Sequence, residues 1–307
     1  NIDHLLMEYS HKKILKYIPF KKVMYSIIIP TYSRKDSLKI CLESLFNQSI
    51  HKNQYEIIVI DDGSTDGTKD LVASLKNEFP NLLYLHQENQ GCAAARNTGI
   101  QNASGDFLFF TDDDCVLPYT WMSELLKEFD KHPEVVGVGG WYTSSKTEIA
   151  SNMYAKIFHQ LDKLHYYNYE DYSVLSNNGG ANPCGNTANV CYKKEIFDKV
   201  GLFDTYTKRT AMIDYELKLR IGYAGFYTYY TPLIINHTKD ITFKEFINKP
   251  FRYGIADHYL STRYPNKHNP LKLINIFQYL HEIKKRDESV SAFYYSLFVL
   301  IRIFGAR

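Results

Sequence analysis

Cysteine is scarce in this 307-residue chain, and no two cysteines stand at the Cys-x-x-Cys spacing. Cys41, Cys92, Cys115, Cys184 and Cys191 are odd in number and scattered, which argues against a disulfide framework or a structural zinc site and fits a reducing cytoplasm. An excess of charge is also lacking. The 36 basic and 34 acidic residues leave a formal charge of +2, so nothing in the balance favours wholesale nucleic-acid binding. Residues 1–22 contain no uninterrupted apolar stretch, and no secretory leader is expected there. The most apolar segment, Ser291 to Arg307, is shorter than the roughly 20 residues that span a bilayer and contains Arg302, so a crossing helix is not expected. No internal repeat is found. With 45% hydrophobic residues the chain can bury a substantial core, and its function must reside in local sites.

Two β-branched apolar runs, Tyr25 to Pro30 and Glu56 to Asp61, have the pattern of strands buried on both faces of a mostly parallel sheet. Between them Leu38, Cys41, Leu42, Leu45 and Phe46 recur at helical spacing, completing a βαβ unit. The pattern continues with a helix at Asp66 to Phe79, a strand at Leu82 to His86, a helix at Gly91 to Asn102 and a strand at Asp106 to Phe110. Beyond it the spacing predicts a helix at Trp121 to Lys131 and a strand at Val135 to Gly139, then a Tyr- and Asn-rich segment, His159 to Asn182, as one wall of an acceptor site. A strand at Tyr229 to Ile235 and helices from Phe243 onward follow, with a break at Tyr264 to Pro270.

Ligands of open α/β sheets sit beyond the carboxyl ends of the strands. Those ends carry Pro30-Thr-Tyr, Asp61-Asp-Gly-Ser and Thr111-Asp-Asp-Asp. Three adjacent carboxylates at a buried strand end repel one another, and a divalent cation with oxygen ligands, Mg²⁺ or Mn²⁺, is the simplest compensation. The plain alternative is a solvated acidic turn. At Asp61-Asp-Gly-Ser-Thr-Asp-Gly a carboxylate can accept a hydrogen bond from the N–H of a uracil ring. Equally, the run can be a helix start, with Ser64, Thr65 or Asp66 as N-cap and Gly63 in a left-handed conformation.

Five stretches, SIIIPTYSRKDSLKICLESLFNQ, EIIVIDDGSTDGT, ENQGCAAARNTGI, ASGDFLFFTDDDC and KEIFDKVGLFDTYTKRTAMIDYELKLR, stand in the order and at spacings like those of one family. Over about residues 24–240 the chain resembles the inverting glycosyltransferases of family 2. The resemblance implies an α/β protein with the GT-A fold, a mostly parallel Rossmann-like mixed sheet flanked by helices, with a helical C-terminal extension. Its implied divisions are an N-terminal helical extension (1–23), a nucleotide-sugar half (24–118), an acceptor half (119–242) and a helical C-terminal region (243–307).

The resemblance also implies roles, residue by residue. Pro30, Thr31, Tyr32 and Arg34 line the nucleotide pocket, with Tyr32 suited to stack on the base, and Asp62 reads the base edge. Asn89 and Arg96 belong to the same pocket, the latter near the base or diphosphate. Asp112 and Asp114 match the outer carboxylates of the DxD motif, Asp114 as the principal ligand of Mn²⁺ or Mg²⁺, with Asp112 or Asp113 at the ribose and metal-bound water. Gly185 and Asn186 lie by the donor sugar and acceptor, and His237 is a further ligand of the metal or diphosphate. Asp214 matches the catalytic base, although Ile213 replaces the usual Glu. The residues alone leave simpler readings open: Arg96 as a helix-surface residue, His237 as a strand-end surface residue, and Asp214 as a helix cap.

The implied activity is metal-dependent transfer from a nucleotide diphosphate sugar, UDP-sugar first, to a glycan or lipid-linked acceptor in surface-glycan synthesis. The implied location is cytoplasmic, at the inner face of the membrane if the acceptor is lipid-linked. Two rivals remain, a sugar-nucleotide-binding protein without turnover and a nucleotidyltransferase. The latter would be expected to carry a Gly-rich phosphate loop after the first strand, which Pro30-Thr-Tyr-Ser-Arg lacks. The apolar Ser291 to Arg307, with Lys284, Lys285 and Arg286 upstream, is expected to dock on an anionic membrane surface or a partner, or else to pack on the catalytic domain or a dimer mate.

Overall fold

The structure, a computed structural model, describes residues 25–144, 146–157, 159, 174–176, 185–205, 211–238, 242–265 and 300. The expected extension 1–23, nearly all of the acceptor wall His159 to Asn182, and all of Ser291 to Arg307 but Leu300 lie outside them, as does most of the expected break at Tyr264 to Pro270.

In chain order the described elements are β1 (Tyr25–Thr31), α1 (Lys35–Phe46), β2 (Tyr55–Asp61), α2 (Thr68–Leu75), β3 (Leu82–His86), α3 (Cys92–Asn102), β4 (Phe107–Phe110), β5 (Cys115–Val116), α4 (Trp121–Lys131) and β6 (Val135–Ser144). There follow α5 (Lys146–Ser151), β7 (Val174–Ser176), β8 (Val190–Lys193), α6 (Glu195–Val200), α7 (Ile213–Tyr223), β9 (Tyr227–His237) and α8 (Phe243–Arg263). One sheet, ordered β3-β2-β1-β4-β8-β6-β9-β5 with β7 on β9, runs through both expected halves. Its longest ladders, β1 with β2 and β6 with β9, are parallel, and no antiparallel pairing exceeds four residues.

The apolar runs behave as their composition requires. Ile27, Ile29, Ile57, Val59 and Phe109 enter one core with Leu38, Leu42 and Leu45 of α1, Val72 of α2, and Trp121 and Leu125 of α4. The alternate residues Ile28, Ile58, Ile60, Leu108 and Phe110 enter a second core with Ala95 and Ile100 of α3 and Ile213, Leu217 and Ile221 of α7. A period of two on strands covered on both faces produces this division. It places α3 and α7 on the same side of the sheet, the side that carries Arg96 and Asp214.

Several element ends differ from the sequence expectation. α2 is shorter than Asp66 to Phe79, because its N-cap is Gly67 at φ +87° while the Asp66 carboxylate accepts from the Thr68 N–H and hydroxyl. The strand expected at Val135 to Gly139 continues to Ser144, and that at Tyr229 to Ile235 runs from Tyr227 to His237, since the two pair with each other as far as Ser144 and His237. His237 therefore lies within a strand rather than after it. No helix among the described residues is long and apolar enough to cross a membrane.

The contact of α3 with the sheet depends on Gly99. A Cβ there would stand 2.5 Å from Ile28 Cγ2 and 2.9 Å from Ile60 Cδ1, so a larger residue must push the helix away. Gly99→Ala is expected to cost about 1–3 kcal/mol of overpacking and to lower the denaturant midpoint without changing its slope. An unchanged midpoint in urea unfolding would show that the helix seats elsewhere.

Candidate active site

The site is built where the order of the sheet reverses. From β1 the chain winds outward to β2 and β3, then crosses back to β4 on the other side of β1, and a crevice opens at such a switch point. Thr31 ends β1, and its hydroxyl donates to Asp113 Oδ2 at 2.7 Å, joining the two strand ends across the crevice.

Asp112, Asp113 and Asp114 follow β4 after Thr111, and side chains from three other segments meet them. Arg96 Nη2 of α3 donates to Asp112 Oδ1 at 2.7 Å. Arg34 Nη1 donates to both Asp113 Oδ1 at 3.0 Å and Asp114 Oδ2 at 2.8 Å. His237 Nε2 lies 3.0 Å from Asp114 Oδ1. The middle and last carboxylates are buried, Asp113 at 3% exposure and Asp114 at 4%. Burial above all, with Asp114 adding to it, pushes the Asp113 carboxyl up to about 6 against the pull of Arg34 and Thr31. Desolvation opposes the charge on Arg34, but Asp113 and Asp114 outweigh it and hold the guanidinium above its ordinary value.

Arg96 is a buried arginine, not a helix-surface one. Its side chain is 5% exposed and its guanidinium carbon lies 6.0 Å from the centre of the Phe203 ring. Complete desolvation would lower its pKa, yet the carboxylates around it, Asp112 foremost and Asp214 among the rest, raise it. The structure thus brings Asp214, half-buried in the first turn of α7, into the electrostatic reach of Arg96. The cap of α7 is Met212, left-handed at φ +66°, so Asp214 stands inside the helix. Among the described residues, Arg96 Nε and Thr111 Oγ1 are buried without a hydrogen-bond partner, a rarity that accumulates where a protein binds or strains.

The remaining expected residues sit around this centre. Tyr32 is 53% exposed on the loop after β1, beside Ser33 at φ +51°. Pro30 is buried in β1, and Asn89 is exposed on the loop after β3. Asp62 is buried and already engaged: Oδ1 accepts from Gln87 Nε2 and the Gln90 N–H, and Oδ2 from the Gly91 N–H. It anchors the segment leading into α3. Gly185, at φ +79°, approaches protein backbone closely, since a Cβ would stand 2.5 Å from Asn189 O and 2.8 Å from Gly140 O. Asn186 Oδ1 accepts from the Ala188 N–H at 3.1 Å.

Several supporting residues escaped the sequence reading. Buried Glu216 receives Arg220 through Nε and Nη2, and Arg220 also donates to the carbonyls of Val200, Gly201 and Leu202. The Glu216 and Arg220 spacing, four apart on a helix, was visible in the sequence as a pair. Tyr264, just past α8, adds a hydrogen bond to Glu216 Oε1 at 2.7 Å. Lys218 Nζ, buried, donates to Gly185 O at 2.9 Å. Asn97 exchanges two hydrogen bonds with the backbone of Phe203, both at 2.9 Å. These long-range contacts leave no mark in local spacing.

Asp114, Cys115 and His237 present ligand atoms all within 4.8 Å of one another. The Cys115 thiol is buried and pushed well above its ordinary value, first by desolvation and then by the carboxylates, so it stays neutral at working pH. The donors that remain, carboxylate oxygens and one imidazole nitrogen, suit Mn²⁺ or Mg²⁺.

Residues 26–201 match glycosyl transferase family 2. The chain belongs to that family, and its architecture is the GT-A fold of such transferases. It is 33% identical over 153 residues to the glycosyltransferase GlyA of Streptococcus pneumoniae, a match covering 50% of this chain and 21% of GlyA. It is 28% identical over 253 residues to a dolichyl N-acetyl-alpha-D-glucosaminyl phosphate 3-beta-D-2,3-diacetamido-2,3-dideoxy-beta-D-glucuronosyltransferase of Methanococcus voltae, covering 75% of this chain and 72% of that one. In structure it resembles the mannosyltransferase PcManGT of Pyrobaculum calidifontis, with TM-score 0.61 and 18% identity over 98% of this chain and 81% of that one. The chain thus spans about a fifth of GlyA's length.

The state of Asp113 has a measurable consequence in metal-free protein. Below about pH 3 its carboxyl is protonated whether the chain is folded or not. As pH rises, the unfolded chain releases this proton near the ordinary value of 3.8, whereas the folded protein keeps it until about 6. The folded state is therefore progressively penalised between those values, by roughly 2–3 kcal/mol once both are ionised. With chelator present, Asp113→Asn should gain melting temperature relative to wild type as pH goes from 4 to 6. A difference that stays constant across that range would contradict the assignment.

Proposed function

We propose that this protein transfers a sugar from a nucleoside diphosphate, UDP by preference, to an acceptor hydroxyl with inversion. The observation that carries the reading is the gathering of Arg34, Arg96 and His237 on a carboxylate triplet whose last two members are buried, with Asp214 in electrostatic reach of Arg96. Asp114 and His237, with Asp112 beside them, would hold Mn²⁺ or Mg²⁺, which when bound offsets the charge that develops on the departing diphosphate. PcManGT, of the same fold, is described in complex with GDP-Man and Mn²⁺, a ligand pair of this class.

The protein's own part in the reaction follows from charge and position. Tyr32, exposed beside the crevice, offers a flat face to the base, and Arg34 offers a guanidinium to the diphosphate. The acceptor oxygen bonds to the anomeric carbon as the bond from that carbon to the diphosphate oxygen breaks. The Asp214 carboxylate accepts the proton of the acceptor hydroxyl. A single displacement from the face opposite the leaving group inverts the configuration. The acceptor is a surface glycan or its lipid-linked precursor, and the reaction takes place in the cytoplasm or at the inner membrane face. The matched transferases of Streptococcus pneumoniae and Methanococcus voltae support the transfer chemistry.

Asp214→Asn should keep UDP affinity near wild type while kcat falls by roughly 10²-fold to 10⁴-fold, as measured by UDP release on addition of acceptor. Wild-type turnover in that variant would remove Asp214 from the role of base. Asp114→Ala should abolish turnover and strongly weaken Mn²⁺-dependent UDP binding in calorimetry. Full activity of Asp114→Ala in EDTA would exclude metal assistance. If wild type binds UDP but releases none with any acceptor, the chain is a binding protein.

A further inference from the structure

Arg34 joins two of the three carboxylates through a single nitrogen. One nitrogen, Nη1, lies 3.0 Å from Asp113 Oδ1 and 2.8 Å from Asp114 Oδ2, bridging two carboxylates that are each nearly closed to solvent. The arginine itself belongs to a different environment. Its side chain is 40% exposed, and it extends from the loop between β1 and α1. Neither α1 nor the loop depends on the guanidinium. Arg34 is the N-cap residue of α1 but makes no side-chain cap, and the loop is held by the Ser33 N–H on Ser64 Oγ at 2.8 Å and the Lys35 N–H on Asp66 Oδ2 at 2.9 Å. Asp113 likewise keeps a second anchor in Thr31 if the guanidinium leaves.

We infer that Arg34 is a built-in counter-ion that holds Asp113 and the metal-ligating Asp114 until a divalent cation displaces it from Asp114, and that it then moves onto the diphosphate of the incoming nucleotide. This rests on the reading of the site as a metal-dependent nucleotide-sugar site. The physical basis is competition for Asp114. A carboxylate oxygen engaged by a guanidinium at 2.8 Å must exchange that partner to ligate an ion there, and like charges cannot share the position. A cation entering alone costs Arg34 its contact with Asp114 and leaves it only Asp113. A cation entering with a nucleoside diphosphate supplies a replacement anion, because a planar guanidinium matches phosphate oxygens bidentately. Cation and nucleotide therefore strengthen each other's binding, and the strengthening is reciprocal. In the ion-free protein the same contact spares the pair of buried carboxylates their mutual repulsion. Arg96 does not share the role, since it is buried and directed to Asp112.

The test is a titration of the whole chain with Mn²⁺, following free Mn²⁺ by paramagnetic resonance, without nucleotide and then with saturating UDP. Arg34→Gln should bind Mn²⁺ alone about tenfold more tightly than wild type, the effect of removing about 1.4 kcal/mol of competition. The factor by which UDP improves Mn²⁺ affinity should shrink several-fold in this variant. Arg34→Lys restores a competing charge and should return Mn²⁺ affinity toward wild type, which a mere loosening of the loop would not do. Arg34→Gln binding Mn²⁺ as wild type does, or more weakly, would overturn the inference. Failure of wild type to bind UDP at any Mn²⁺ concentration would instead overturn the reading of the site as a metal-dependent nucleotide site, and the Mn²⁺-only comparison would still decide the competition at Arg34.

Discussion

Three carboxylates in succession at the end of a buried strand create a charge that the surrounding protein must balance, and the architecture of the site follows from that balance. Asp112, Asp113 and Asp114 cannot move apart, because β4 is locked between β1 and β8 and the Asp114 carbonyl is held by Thr238 of the chain beyond β9. Compensation has to come to them. Two guanidinium charges reach them, Arg34 from the β1 end and Arg96 from α3, and the His237 imidazole approaches Asp114 from β9. Each is delivered by a different element, so the local field depends on the whole sheet being assembled. Burial keeps the Asp113 carboxyl above the usual range even with Arg34 and Thr31 as partners.

The second element of the design is the sharing of one sheet face by α3 and α7. Their apolar residues meet the same set of strand side chains, Ile28, Ile60 and Phe110 among them. This common packing brings Arg96 and Asp214 within electrostatic reach across a long stretch of sequence. The orientation of α7 is secured by buried polar contacts, the Glu216 clamp on Arg220 and the reach of Lys218 to Gly185. Buried ion pairs of this kind often contribute little net stability, because desolvation offsets their attraction. Their consequence here is register: Arg220 binds the carbonyls of residues 200–202 and Lys218 binds the loop before β8. Tyr264 and Tyr259 extend the same fastening to α8 through Glu216 and Asp204.

The fold was largely legible in the sequence because its signals are local. The runs at Tyr25 and Glu56, the helical spacing of Leu38 to Phe46, and the segments Leu82 to His86 and Trp121 to Lys131 all became the elements that their periodicity predicts. Element ends were less legible where a partner decides them. Ser144 is a strand residue because it pairs with His237 of β9, and His237 because it pairs with both Ser144 and Cys115 of β5. The start of α2 was misplaced because a left-handed glycine, not one of the polar residues before it, takes the cap position.

By itself the sequence determined the chemistry available: a carboxylate triplet after an apolar strand, a carboxylate at the start of α7, and arginines and a histidine near strand and helix ends. It did so because residue type and secondary-structure period are properties of neighbours in the chain. Only the tertiary structure decided which charge meets which. Arg34 could have faced solvent, Arg96 could have lain on a helix surface, and Asp62 could have lacked protein partners. Instead Arg34 bridges Asp113 and Asp114, Arg96 is buried on Asp112, and Asp62 is bound to the loop before α3. Coulomb energy and desolvation depend on distance and burial, and neither is defined until the strands have paired and the helices have closed over them.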